Sequence, residues 1–185
     1  MPHLTTAYRV LVRNAPLLAT LPLSNLATLD SSFALVNLGM TSITLPSLTE
    51  IAGDLSIESH ATLTSIAFPV LAEIGSLNVW ISSNTALTSI DLHGVTTVPY
   101  LTIVNNVALA NVDGFSGFTT IGTRLVIQGN GALADLDGLF GLTAVGGELT
   151  VKNNPTLPTA EALALRDEIG IANIAGPITI SGNAP

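Results

Sequence analysis

Three aspartates, Asp91, Asp113 and Asp137, each follow an aliphatic residue (Ile90, Val112, Leu136) and recur at intervals of 22 and 24 residues. If such a chain stacks in coils, the three carboxylates stand about 5 Å apart. That spacing suits a hard cation such as calcium bound through carboxylate oxygens, or a carboxyl pKa shifted for acid–base work. The pairs Asp113-Gly114 and Asp137-Gly138 point elsewhere. Each inserts one residue before Phe115 or Leu139, as a bulged turn fixed by the aspartate side chain does. The turn is the preferred reading, so no metal and no cofactor is assigned. Other reactive groups are thinly spread. His3, His60 and His93 occupy unrelated positions, there is no cysteine, and no Ser lies in a G-x-S-x-G elbow. The sequence contains neither a phosphate-binding loop nor a dinucleotide fingerprint. Polysaccharide-cleaving solenoids cluster carboxylates with basic residues or metal in a groove, and no such cluster is visible here. The expectation is a protein that is not an enzyme.

One residue suits recognition rather than reaction. Trp80, the sole tryptophan, lies between Val79 and Ile81. In a strand whose Val79 and Ile81 point inward, Trp80 points outward, in a column with Ser56, Thr102, Val126, Thr150 and Thr179. An exposed Trp on a sheet face anchors a sugar ring or a partner protein. Glu58 and Ser82 stand near enough to add hydrogen bonds, and Thr102 is its neighbour in the column. The competing reading is a Trp packed under a loop.

These positions depend on a repeat. "LTIVNNVALANVDGF" (101–115) returns as "LVIQGNGALADLDGL" (125–139) and, less closely, as "LTVKNNPTLPTAEAL" (149–163). Alignment on the asparagine gives Asn37, His60, Asn84, Asn106, Asn130, Asn154 and Asn183 in one slot, with Ala15 at the front. Successive intervals are 22 to 24 residues, except 29 at the end. Apolar residues lie three and five positions ahead of the slot, as in Ile103 and Leu101. The second coil fits through Phe33 and Leu35 with one residue deleted. Apolar-x-apolar is the period of a strand with one buried face. Thr and β-branched residues favour strands, whereas Gly, Pro and Asn favour turns.

The expected fold is all-β: a right-handed parallel β-solenoid of about eight coils of 22–24 residues, forming one domain over residues 1–185. At ~4.8 Å per rung the stack is about 35 to 40 Å long. The asparagine column is read as structural, each side chain satisfying backbone groups left free by a corner. One segment breaks the rhythm. "PTAEALALRDEIG" (158–170) has Thr159 as N-cap, Glu161 in the first turn and Gly170 as stop, with Leu163, Arg166 and Ile169 at helical spacing. It predicts a short helix at about 159–169, covering core beside the last full coil.

Composition excludes several classes. Net charge is −8, and Arg9, Arg13, Arg124, Lys152 and Arg166 are scattered along the chain, so a nucleic-acid footprint is not expected. Mean hydropathy is high at +0.59. No apolar run reaches the roughly 18 to 20 residues that span a bilayer, so the chain is not expected to cross a membrane. The first residues already carry the repeat and lack the basic-then-apolar order of a signal peptide.

The phrases "GGELTVKNNPTL" (146–157) and "LVIQGNGALADLDGLFGL" (125–142) resemble the coils of the receptor L domain and its bacterial and fungal cell-surface relatives. These in turn resemble leucine-rich repeats. "LPTAEALALRDEIG", followed by "ITISGN", resembles the way many bacterial members finish. The resemblance implies a β-solenoid placed outside the cell or at its surface, acting in binding or adhesion. The leading expectation is therefore a surface module that holds a protein or glycan on a flat sheet face around Trp80. The alternative is a structural subunit that assembles head to tail with copies of itself through uncapped solenoid ends. Rows of Thr and Ser also raise an ice-binding face, but regular Thr-x-Thr rows are missing.

Overall fold

The computed structural model describes residues 3–75 and 78–185. The chain winds into a parallel β-solenoid. Its long face is a sheet whose path runs through eight strands: Val10–Ala15, Phe33–Leu38, Leu55–Glu58, Asn78–Ser82, Thr97–Val104, Thr120–Gln128, Glu148–Lys152 and Ile178–Ser181. Each pairs in parallel with the strand one coil away. A second face is built from two-residue strands, Thr6–Ala7, Thr28–Leu29, Glu50–Ile51 and Glu73–Ile74. The third carries Ser42–Thr44, Ser65–Ala67 and Ser89–Asp91, and then two single 3-10 turns, Asp113–Phe115 and Asp137–Leu139. The long face thus has eight rungs, while about six turns make the complete cross-section.

Register explains the repeat. Leu101 pairs with Leu125, and Leu125 with Leu149; Ile103, Ile127 and Val151 form the file beside them. All six are fully buried. Successive coils close the core above and below every aliphatic side chain, so no coil can bury its leucines alone. Aromatics enter this aliphatic interior in two places. Phe33 meets Phe68 edge-on at 5.8 Å, and Phe115 meets Phe118 at 5.4 Å.

The third face gives up its strands where the Asp-Gly pairs occur. A side chain on Gly114 would come within 1.7 Å of the Ile90 carbonyl oxygen, and one on Gly138 within 2.0 Å of that of Val112. Only glycine lets adjacent turns approach so closely. The aspartates open these 3-10 turns, but the side chains that accept the first N–H of each come from two residues earlier: Asn111 Oδ1 accepts from Asp113 at 3.4 Å, and Asp135 from Asp137. The bulged turn held by the side chain of Asp113 or Asp137 itself is therefore replaced by a glycine-dependent one.

The helix spans Thr159–Ile169, and Gly170 stops it at φ 81°. Two details differ from the sequence reading. Pro158 takes the N-cap position, and the Thr159 hydroxyl donates to the Ala184 carbonyl at 2.8 Å, tying the helix start to the final coil. The buried residues are Ala162, Leu165 and Ile169, which join the solenoid core, rather than the Leu163–Arg166–Ile169 stripe. Among the described residues, no helix is long and apolar enough to cross a membrane.

Candidate functional site

The asparagine column is a continuous ladder inside the corner. Asn84, Asn106, Asn130 and Asn154 are fully buried. Each Oδ1 accepts the backbone N–H of the slot residue one coil earlier: His60 to Asn84, Asn84 to Asn106, Asn106 to Asn130, Asn130 to Asn154 and Asn154 to Asn183, at 2.9 to 3.1 Å. Each Nδ2 donates to a carbonyl of the preceding coil, Ile57, Ile81, Ile103, Ile127 and Val151 in turn, at 2.9 to 3.2 Å. A carboxamide fits because one group supplies both an acceptor and a donor.

Asn37 is not part of this ladder. Ala15 pairs with Leu38, and the Leu38 N–H donates to His60 Nδ1, so Leu38 occupies the slot and the second coil has no deletion. Asn37 belongs one position earlier, in an exposed corner column with Asn14, to which its Nδ2 donates at 3.3 Å. That column, Asn14, Asn37, Ser59, Ser83, Asn105, Gly129, Asn153 and Gly182, turns the chain at positive φ of 53° to 70°. Asn and Gly tolerate this left-handed region best.

His60 replaces the carboxamide with an imidazole. Nδ1 accepts from the Leu38 N–H at 3.2 Å, and Nε2 faces the Leu35 carbonyl at 3.2 Å. A neutral ring protonated on Nε2 satisfies both. Burial pushes the His60 pKa below the ordinary value, against the two backbone carbonyls of Leu38 and Leu35, which favour the charged ring. The neutral form is thus the native one. The unfolded chain binds the proton more readily, so this contribution to stability is present above the ordinary His pKa of about 6.5 and is lost as pH falls below it. Thermal midpoints should drop between pH 7 and pH 5, and His60→Asn should flatten that drop. An unchanged slope in His60→Asn, followed by calorimetry, would assign the pH dependence to other groups.

The aspartates do not form one column. The rung-to-rung bond that joins the Phe68 N–H to the Asp91 carbonyl joins the Leu92 N–H to the Gly114 carbonyl, so Gly114 stands at the level of Asp91. Asp91 instead pairs with His93 on its own coil. Asp113 and Asp137 lie near Asp135. Burial raises the Asp135 pKa, and the charges of those two aspartates add to the effect. Among the described residues, no group of three or more His, Asp or Glu side chains is placed to hold a metal ion.

The face around Trp80 has more built structure. Trp80 is 41 % exposed and points out of the long sheet. Its indole Nε1 donates to Ser82 Oγ at 2.8 Å, which fixes the ring's tilt. Ser82 and Thr102 are each only 8 % exposed, so Ser82 holds the indole, and Thr102, the register partner of Trp80, lies outside the notch described next.

On the other side of Trp80, the column continues through Ser56 and Ala34. These small side chains form the floor of a notch of about 250 Å³. Trp80 and Asn78 bound one end; Arg9 and Arg13, from the first coil, bound the other. The sides include Asp54 and Glu58. Asp54 Oδ1 accepts the backbone N–H and the Nδ2 of Asn78 at 2.8 and 3.2 Å, and Glu58 accepts the Ser56 hydroxyl. Three rung spacings separate the strands of Arg13 and Trp80, about 14 Å. The notch exists because the outward column between Trp80 and the first coil holds only the small side chains of Ser56 and Ala34.

No family model, curated protein or solved structure matches the chain. The functional reading therefore comes from the notch itself. Sequence reasoning found Trp80 and Glu58 and missed Arg9, Arg13, Asp54 and Asn78. The signal was present as outward parity: Arg9 and Arg13 flank Leu11, just as Asp54 and Glu58 flank Ser56. A scan for charge clusters along the sequence does not register residues brought together by stacking.

Proposed function

We propose that the chain is a non-catalytic binding or adhesion solenoid of the receptor L domain type, working outside the cell or at its surface, and that its long sheet face holds a glycan beside Trp80. The observation that carries this is an exposed indole, held by Ser82, at the end of a polar notch floored by Ala34 and Ser56. A pyranose presents apolar C–H faces and a rim of hydroxyls. An aromatic platform with hydrogen-bonding groups beside it complements both. A protein partner is less well served, because standard interfaces bury about 800 Å² per partner around an apolar centre, and the notch is small and polar.

Affinity electrophoresis through gels containing plant, fungal or bacterial polysaccharides tests the reading. At least one polysaccharide should retard the wild type, and Trp80→Ala should migrate freely while still unfolding in one cooperative transition well above the assay temperature. Equal retardation of wild type and variant in every gel would remove the Trp80 face from consideration. Bound oligosaccharide should be recovered uncleaved.

A second reading, head-to-tail assembly, is favoured by one observation. The first coil exposes Tyr8 (73 %), Leu11 (42 %) and Leu17 (96 %). Sedimentation velocity separates the two readings: a binding module keeps one sedimentation coefficient across micromolar concentrations, and a polymerising subunit does not.

A further inference from the structure

The chain carries four arginines. Two are engaged: Arg124 with Glu148 at 2.9 Å, and Arg166 with Asp167 at 2.6 Å. The other two, Arg9 and Arg13, make no ion pair or side-chain hydrogen bond among the described residues, and both line the notch. The acids that share the notch do not pair with them. Neither Asp54 nor Glu58 comes within 4.0 Å of either guanidinium. Their oxygens are instead taken by Asn78 and Ser32, and by Ser56. A chain of net charge −8 thus keeps two free guanidinium groups at one end of a small notch, opposite its only tryptophan.

We infer that the notch takes an acidic sugar, a pyranoside bearing a carboxylate or sulfate group. The inference rests on the glycan-binding reading above and narrows it. The ring stacks against Trp80, and its anionic substituent faces Arg9 and Arg13. Hydroxyls reach the polar sides at Asn78, Ser56 and Glu58. Guanidinium groups suit this task because they stay charged at every physiological pH and offer planar, paired N–H donors to an oxyanion. The floor of Ala34 and Ser56 leaves room for a ring between the two ends. Asp54 and Glu58 on the notch's sides balance its formal charge, so attraction for an anion is confined to the end held by Arg9 and Arg13, and the arginines select the anion as well as bind it.

Isothermal titration with three hexasaccharides tests the assignment: oligogalacturonate, the same oligomer with its carboxylates reduced to hydroxymethyl groups, and a sulfated galactan oligomer. The proteins are wild type, Arg9→Gln/Arg13→Gln and Trp80→Ala, each first shown to keep the wild-type circular dichroism spectrum and to be folded at the titration temperature. The expected result is that wild type binds at least one acidic oligomer, that the double arginine variant binds it about tenfold to hundredfold more weakly, and that added salt weakens wild-type binding more than that of the variant. Which acidic oligomer shows this dependence distinguishes carboxylate from sulfate. Equal affinity of wild type and the double variant for every acidic oligomer overturns the inference. If binding also prefers the reduced oligomer and is lost in Trp80→Ala, the glycan reading stands while the acidic specificity falls. If none of the three oligomers binds in a Trp80-dependent way, the acidic inference fails, and the polysaccharide gels decide the broader reading separately.

Discussion

Replacing Asn106 with alanine should destabilise the protein by about 3 to 5 kcal/mol, a loss expected at each fully buried asparagine of the ladder. The Asn106 carboxamide accepts the Asn84 backbone N–H at 3.1 Å and donates to the Ile81 carbonyl at 3.0 Å. Both groups lie in a corner where the ladder residues have no exposed surface. Truncation leaves the N–H without its acceptor and the carbonyl without this donor, at roughly 1 to 3 kcal/mol for each buried group left unsatisfied, and a small hole adds to this. Asn106→Asp separates hydrogen bonding from size. The carboxylate still accepts from Asn84, but it brings a negative oxygen against the Ile81 carbonyl and Asn130 Oδ1. It should therefore be destabilising at neutral pH and partly recover as the carboxyl protonates in acid. Urea denaturation at two pH values reads both effects. A loss under about 1 kcal/mol in Asn106→Ala would mean that the ladder accompanies the corner without holding it.

Leu125→Ala should cost about 2 to 5 kcal/mol, the range for deleting a fully buried leucine from a core that relaxes only in part. Leu125 lies between Leu101 and Leu149 in the inward file, and all three are fully buried. The coils above and below are held apart by their own backbone hydrogen bonds, so they cannot close over the hole, and the upper half of the range is expected. Val10→Ala is the control. Val10 pairs with Phe33 and, among the described residues, with no strand on its other side, and it keeps some exposure, so its loss should be much smaller. Comparable losses at Leu125 and Val10 would contradict a core closed by stacking.

The fold was legible because a parallel stack forces the same kind of side chain into the same slot, and that constraint is written directly in the sequence. Two positions resisted it. Asn37 attracted the alignment because corner asparagines occur in two adjacent columns, as Asn105-Asn106 and Asn153-Asn154 show. Where the second coil puts leucine in the buried slot, the neighbouring asparagine imitates the pattern. Asp91 was set level with Asp113 because the chain passes there from a strand into a 3-10 turn, and counting residues does not report that change of path.

The notch was only half legible. Trp80 is conspicuous by type and parity. Arg9 and Arg13 enter the same notch as Trp80 because Ala34 and Ser56, in the coils between, are small. That is a property of the stack rather than of any local stretch of sequence.

The most direct measurement uses the fact that the chain has a single tryptophan. Its emission reports the occupancy of the notch without a label. Titration with an oligosaccharide whose binding calorimetry has established should shift Trp80 emission along a saturating curve with the same dissociation constant. Emission that stays constant while calorimetry shows the sugar bound would place recognition elsewhere on the solenoid and contradict the account.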